Sequence, residues 1–243
     1  MDEAYGLWQE GLSASEIGRK LGVPQRTVAH WVKAWCGHPR ARGLRIEQPP
    51  PWPPDLRSYA YLLGLYLGDG HIAAVRGSTY VLRLALDAAY PRIAAEALAA
   101  IHRLLPTRNP RVGRARDVKM FRVECNSRWW PDLLPQHGPG RKHERPIILE
   151  PWQRLITETH PHELLRGLIH SDGCRYVANQ RDGARTYRYV RYMFSNRSED
   201  ILQIFCDHAD LLGVRWTRPN FKEVQMARRD SVAVLERFIG PKR

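Results

Sequence analysis

The sequence is short of the features that staple, export or embed a protein. Among its 243 residues are four cysteines, Cys36, Cys125, Cys174 and Cys206, and no two form a CxxC pair. They read as reduced thiols, not as a zinc knuckle or a disulfide frame. No apolar run approaches the ~20 residues that a spanning helix needs. The opening MDEAYGLWQE is acidic and lacks an apolar core, so no signal peptide is expected. There is no P-loop or dinucleotide glycine pattern; GPGRK lacks the spacing. Acidic residues are scarce too, with 25 Asp and Glu against 38 Lys and Arg, a net charge of +13. Such an excess, with no acidic tail to offset it, points to nucleic acid more than to an anionic membrane. A cytoplasmic, nucleoid-associated location is expected. The chain opens with Met and ends GPKR without splice-junction residues, so a freestanding protein is expected instead of an intein.

What is present falls into three stretches. Residues 1–36 read as a helical unit. Residues 37–56, GHPRARGLRIEQPPPWPPDL, are rich in proline, which removes donors and favours extended backbone, and form a semi-rigid basic linker. The rest is a mixed α and β region that divides into repeats at 57–145 and 146–243.

The N-terminal stretch LSASEIGRKLGVPQRTVAHWVKAW has a helix-turn-helix pattern. Ser13 and Glu16 form a capping box, Ile17 and Leu21 give a buried stripe, and Gly22 makes the turn. Pro24 suits the first turn of the next helix. Val28, Trp31 and Val32 point inward at helical spacing. Gln25, Arg26, Thr27 and His30 then face outward near the helix N-terminus, where a recognition helix meets base edges. The pattern resembles the helix-turn-helix of bacterial regulators and resolvases. A plain three-helix bundle with a solvated face is the alternative.

The larger region repeats itself. YLLGLYLGDG pairs with LLRGLIHSDG, and each is followed by strand, helix, strand and helix patterns in the same order. Both copies close on glycine, proline and basic residues, GPGRK and GPKR. Two halves with the order helix, strand, strand, helix, strand, strand, helix imply pseudo-twofold symmetry. The fold class is therefore α+β, a pair of αββαββα half-domains preceded by a small all-α domain. A chain carrying its own pseudo-dimer is expected to act as a monomer, with no obligatory protein partner.

The endings of the two repeated helices pose a physical problem. Asp69 and Asp172 each sit in a last helical turn, against the negative end of the macrodipole. Gly64 and Gly68, and Gly167 and Ser171, are four residues apart, a spacing of small residues that lets helix backbones touch. Leu62, Leu63, Leu65 and Leu67, with Leu164, Leu165, Leu168 and Ile169, give apolar faces for two cores. Gly70 and Gly173 fit the left-handed C-cap position. Packed side by side, the helices crowd two carboxylates and two carbonyl ends into one spot. That is repulsive unless a cation sits there, and oxygen ligands suit Mg2+ or Mn2+. His160 to Glu163, HPHE, is metal-like in composition but reads as a helix start.

These motifs, with the repeat, resemble the single-chain LAGLIDADG homing endonucleases from about residue 57 to 243. The resemblance implies a saddle of two half-domains whose sheets lie along the DNA major groove. It implies that Asp69 and Asp172 are metal-binding catalytic carboxylates, with the carbonyls of Gly68 and Ser171 as further ligands, in hydrolysis of both strands of duplex DNA. Two positions depart from the motif: Leu67 and His170 stand where an acidic or polar residue is usual. Lys142 and Lys242, at equivalent repeat ends, are candidates for the family's water-polarising bases, and equally for phosphate contacts or solvated termini. Some relatives of this fold are non-cleaving transcription regulators, which gives the alternative reading. An RNA-binding splicing helper of the maturase type is a third.

Strand alternation sorts the DNA-facing residues. Leu82, Leu84 and Leu86 share one face, with Val81, Arg83, Ala85 and Asp87 on the other. Val190, Tyr192 and Phe194 go inward, with Tyr189, Arg191 and Met193 outward. Arg83 and Arg191 are expected at matching repeat positions. Arg122 and Gln225 face outward between Phe121 and Val123, and Val224 and Met226. Arginine can read guanine, and glutamine adenine, with paired hydrogen bonds. Arg111, Arg114, Arg116, Arg175, Arg181, Arg215 and Arg218 are assigned to phosphates, with solvated surface as the alternative for each. Duplex binding should weaken steeply with salt. For roughly six to ten neutralised phosphates, affinity falls about 10³- to 10⁵-fold between about 50 and 200 mM salt. A flat profile in fluorescence anisotropy would contradict the basic-surface reading.

Overall fold

At the N-terminus the pattern becomes three short helices, α1 (Asp2–Gln9), α2 (Ala14–Leu21) and α3 (Gln25–Trp35). The computed structural model describes residues 2–35, 53–75, 78–114, 119–183 and 185–242, in two compact units divided between residues 52 and 53. The capping box is made: Glu16 N–H donates to Ser13 Oγ (3.3 Å), and Ser13 N–H donates to Glu16 Oε2 (2.8 Å). Gly22 ends α2 at φ 64°, the left-handed conformation a side chain resists. Ala4, Leu7, Trp8, Ile17 and Val28 form the core, with Leu21, Trp31 and Val32 against it. Pro24 lies one position earlier than expected. Its carbonyl accepts from Thr27 and Val28, so it precedes the first turn of α3 and is not inside it. Of the expected linker, residues 37–52 lie outside the described residues, and Leu56 already opens the next helix.

The larger unit contains two copies of one plan. The first is α4 (Leu56–Asp69), β1 (Gly70–Ala74), β2 (Tyr80–Asp87), α5 (Pro91–Leu104), β3 (Arg111–Arg114), β4 (Met120–Ser127) and the single turn α6 (Trp130–Leu133). The second is α8 (Pro161–Asp172), β5 (Gly173–Asp182), β6 (Arg185–Ser195), α9 (Glu199–Leu211), β7 (Thr217–Asn220), β8 (Glu223–Met226) and α10 (Arg229–Glu236). Each copy forms a four-stranded antiparallel sheet, ordered β1-β2-β4-β3 and β5-β6-β8-β7. Between the copies stand a 3-10 turn (Lys142–Glu144) and a helix the pattern did not announce, α7 (Pro151–Thr159). Its Gln153 is fully buried and donates to Tyr59 Oη (2.7 Å), while Tyr59 Oη donates to the Leu133 carbonyl (2.7 Å).

α4 and α8 pack against each other, and the apolar faces expected of them are all buried. The glycines set the distance. A Cβ on Gly64 would lie 2.5 Å from the Leu164 carbonyl oxygen and 2.9 Å from Gly167 Cα. A Cβ on Gly167 would collide with the Tyr61 carbonyl, and one on Gly68 with Ser171 Oγ. Gly70 and Gly173 differ from expectation. Neither is left-handed; at φ −90°, ψ 148° and φ −107°, ψ 169° both are extended. The chain leaves each motif helix directly into a strand, and glycine is needed there for space. A Cβ would stand 2.5 Å from Tyr66 Cα in one copy and 2.7 Å from Ile169 Cα in the other. Alanine is the better helix former by about 1 kcal/mol. Gly64→Ala and Gly167→Ala should nevertheless destabilise the larger unit by about 1–3 kcal/mol in urea unfolding, as over-packing does. Gly6→Ala in α1, where a Cβ meets nothing within 4 Å, should stabilise its own unit. Equal effects at all three positions would contradict this packing account.

Candidate active site and nucleic-acid interface

α4 and α8 end together, so Asp69 and Asp172 converge. A Cβ on Gly68 would lie 3.0 Å from Asp172 Oδ2. Asp69 is pushed up to about 7, first by burial and then by the neighbouring Asp172 charge, with Lys242 and Lys142 opposing. Burial also raises Asp172. The hydrogen bond from Asn196 Nδ2 to its Oδ2 (2.7 Å) and the two lysines offset part of that rise.

The two lysines hold the helix ends in matching fashion. Lys142 Nζ donates to the carbonyls of Tyr66, Leu67 (3.1 Å) and Gly68 (3.1 Å). Lys242 Nζ donates to the carbonyls of His170 (3.0 Å) and Ser171 (3.5 Å). Each ammonium thus satisfies orphan carbonyls and neutralises a dipole end beside the carboxylates. Burial pushes Lys142 down to about 8, against the pull of Asp172 and Asp69, and depresses Lys242 as well. Neither lysine is a solvated terminus. One cleft opens beside each: about 480 Å³ lined by Gly68, His71, Lys142, Asp172, Asn196 and Arg197, and about 330 Å³ lined by Asp87, Tyr90, Cys174 and Lys242.

The donor set suits a hard divalent cation: two carboxylates that repel each other, with the Gly68 and Ser171 carbonyls at the same helix ends. Among the described residues no group of three or more His, Cys, Asp and Glu could hold a metal. Water and phosphate oxygens would supply the remaining ligands, as magnesium commonly requires.

His170, the unusual motif residue, belongs to the helix interface. Its Nδ1 is 3.0 Å from Tyr61 Oη, and Tyr61 Oη also donates to Glu96 (3.3 Å), which pairs with Arg166. Burial pushes His170 down to about 3, so it is neutral. HPHE has no metal role: Glu163 pairs with Arg57 (3.2 Å), and the His162 ring meets Phe238 edge-on.

The sheet faces away from the helices carry exposed side chains, although Val81, expected to face outward, is buried. Arg83 and Arg122 lie there in the first half, both exposed, with Arg83 Nε paired to Glu124 (2.9 Å). Tyr189, Arg191 and Gln225 share the open face of the second, where Gln225 Nε2 donates to Tyr176 Oη (2.5 Å). Arg191 Nε is buried there without a partner. Arg83 and Arg191 are not equivalent. Gly70 pairs with Leu84 and Gly173 with Phe194, so Arg83 matches Met193, and Arg191 matches Val81. Contrary to expectation, Arg175 is not a phosphate-facing cation on the open side. It sits opposite the inward-facing Tyr192 and is held bidentately by Glu236 (2.7 and 3.2 Å), on the helix side of the sheet. Arg218 is likewise held by Glu199 on α9. Gln25 and Arg26 are exposed and Thr27 is half-buried on α3. The side chains of His30 and Arg114, and Arg116 altogether, lie outside the described residues.

Asn196 escaped the sequence reading. Its Oδ1 accepts from Ser198 N–H (2.8 Å), and such a residue reads as an ordinary turn former before a helix. Only the fold shows that its amide nitrogen reaches Asp172.

A homeodomain-like family model matches residues 5–41. No match was found among curated proteins. Among solved structures, I-DmoI in complex with DNA and Mn aligns with a TM-score of 0.50 and 17% identity, over 76% of this chain and 98% of that one. The LAGLIDADG meganuclease I-AabMI bound to uncleaved DNA aligns with a TM-score of 0.48 and 13% identity, over 74% and 82%.

The raised Asp69 makes a testable statement about the metal-free protein. Its folded value lies above the ordinary carboxylate range, so its proton stabilises the fold at low pH. That contribution is lost as pH rises through about 7. Asp69→Asn should therefore raise Tm in EDTA at pH 8, on the order of 5 °C, and the gain should shrink toward pH 4. A pH-independent difference would contradict the assigned environment. Two antiparallel sheets behind a pair of touching motif helices, each helix ending in an aspartate, give the larger unit the LAGLIDADG endonuclease fold, and the N-terminal unit is a homeodomain-like helix-turn-helix.

Proposed function

We propose that this chain is a site-specific homing-type DNA endonuclease that hydrolyses phosphodiesters in both strands of duplex DNA, with Mg2+ or Mn2+ held by Asp69 and Asp172. One observation carries the reading: two half-buried carboxylates meet at the ends of two touching helices, where the first strands of both open sheets begin. The I-DmoI structure with DNA and Mn supports carrying both ligands over to this fold. When bound, the cation activates water and stabilises charge on the reacting phosphate and leaving oxygen. The chain does the rest. Asp69 and Asp172 fix the cation, with the Gly68 and Ser171 carbonyls beside them. Asn196 orients Asp172. Lys142 and Lys242 place one ammonium charge beside each cleft; Lys142 commits its three N–H groups to helix-end carbonyls, whereas Lys242, bonded to two, keeps one donor that can orient water. Two clefts suit two strands. Arg83, Arg122, Tyr189, Arg191 and Gln225 meet the major groove from the open faces. Gln25, Arg26, Thr27 and His30 add a second reading surface. The protein works as a monomer on an asymmetric site, at the nucleoid.

A specific observation favours a second reading, a non-cleaving regulator. The lysines already neutralise both helix ends, so this architecture stands without a cation. Incubating the protein with a random duplex library and Mg2+, then sequencing the ends, separates the two. The endonuclease reading predicts ends enriched at one motif, and none with Asp69→Asn/Asp172→Asn, which still binds. A motif recovered by binding but uncut in Mg2+ or Mn2+ would favour the regulator. Cutting by the double variant would sink the site assignment.

A further inference from the structure

The two halves differ in the length of their first hairpins. In the first half the β1–β2 ladder runs five residue pairs, from Gly70 opposite Leu84 to Ala74 opposite Tyr80. It closes one residue further, where Val75 N–H donates to the Thr79 carbonyl (2.8 Å). In the second half the β5–β6 ladder runs ten pairs, from Gly173 opposite Phe194 to Asp182 opposite Arg185. β8 pairs with β6 only from Tyr192 to Ser195, so among the described residues the outer part is a ribbon of two strands with no third paired to it. Such a ribbon is marginal alone. It buries little: Asn179, Gln180, Arg181, Thr186, Tyr187 and Arg188 are all exposed.

Its composition points to a ligand that is not apolar. Arg185 stands at the tip on one face of the ribbon and Arg181 and Arg188 near it on the other, in a chain of net charge +13. Gln180 and Tyr187 are cross-strand partners, on the same face of the ladder as Tyr189 and Arg191. The Tyr187 and Tyr189 rings stack (6.3 Å, 19°), and the Arg229 guanidinium lies over Tyr189 (5.6 Å), which stiffens the ribbon's base. The ribbon thus prolongs the open face of the second sheet with Gln180, Tyr187 and the cation of Arg185. A two-stranded ribbon fits the major groove.

We propose that this ribbon reads an outer segment of the target beyond the span of the first half's described β1–β2 ladder, making the half-site under the second sheet longer by about four base pairs. The length follows from geometry. Four to five extra residues at ~3.4 Å each extend the face by about 15 Å. B-DNA rises ~3.4 Å per base pair along each strand. Gln180 and Tyr187 face the bases, and Arg185, on the same face at the tip, holds a flanking phosphate. The inference rests on the reading that the open sheet faces meet DNA.

The test uses the full chain and the site recovered from the library, under hydroxyl-radical footprinting. The shortened variant lacks residues 179–182 and 185–188. Removing an even number from each strand keeps every inner side chain on its own face. It should lose protection over about four base pairs at one outer end only. Gln180→Ala/Tyr187→Ala, which leaves the backbone intact, should lower discrimination at those outer positions about tenfold. Unchanged protection in the shortened variant, or unchanged discrimination in the double variant, would overturn the ribbon's role. A full chain that protects no duplex at all would overturn the DNA reading itself, and this inference with it.

Discussion

The approach of α4 to α8 at Gly64 and Gly167 is the constraint on which the larger unit depends. Without side chains at these positions, two helix backbones meet closely enough for one to cover the other's core. That contact joins two half-domains into one body, through Leu62, Leu65, Leu165 and Leu168 on either side. It also fixes where the helices end. Because both finish in aspartate and both pass directly into a strand, the same contact brings the carboxylates together and starts both sheets beside them. Packing and chemistry are therefore not separable here: a wider helix spacing would part the carboxylates.

Burying two carboxylates has an energetic cost, visible as a raised affinity of both for protons, to which the Asp172 charge adds at Asp69. The fold offsets it locally. Lys142 and Lys242 supply cations where both the carboxylates and the helix dipoles need them, and Asn196 gives one carboxylate a fixed donor. His170 shows the complementary case. It stands where the motif usually has an acidic or polar residue, yet it is buried, neutral and bonded to Tyr61. It fills the interface without adding charge to the site. The remaining deficit at the carboxylate pair is what a divalent cation would relieve.

Much of this was legible because the signals are local or repeated. The capping box at Ser13, the turn at Gly22, the small-residue spacing and the doubled element order each follow from short stretches of chain. The sidedness of Leu82, Leu84 and Leu86 followed from strand period alone. The failures have one physical source: they depend on how distant elements meet. Arg83 and Arg191 looked equivalent by spacing, but hairpin register is set by hydrogen bonds from the motif glycines. Arg175 reads as a phosphate contact in the sequence, but Glu236, on the last helix, holds it. Gly70 and Gly173 are glycines for want of space beside Tyr66 and Ile169, not for left-handed backbone. Asn196 carries a turn signal that hides its second bond, and α7 is hidden by its continuity with α8.

The account's central claim is that Asp69 and Asp172 together hold a divalent cation. It is tested most directly by titrating Mn2+ into the protein at pH 8 and following bound metal by electron paramagnetic resonance. Bound Mn2+ should be present with the unaltered chain and with Asp207→Asn, whose carboxylate lies on α9 outside the site. It should be lost with Asp69→Asn/Asp172→Asn while the circular dichroism stays unchanged. Manganese bound equally by the double variant, or absent from the unaltered chain even with duplex DNA present, would contradict the claim.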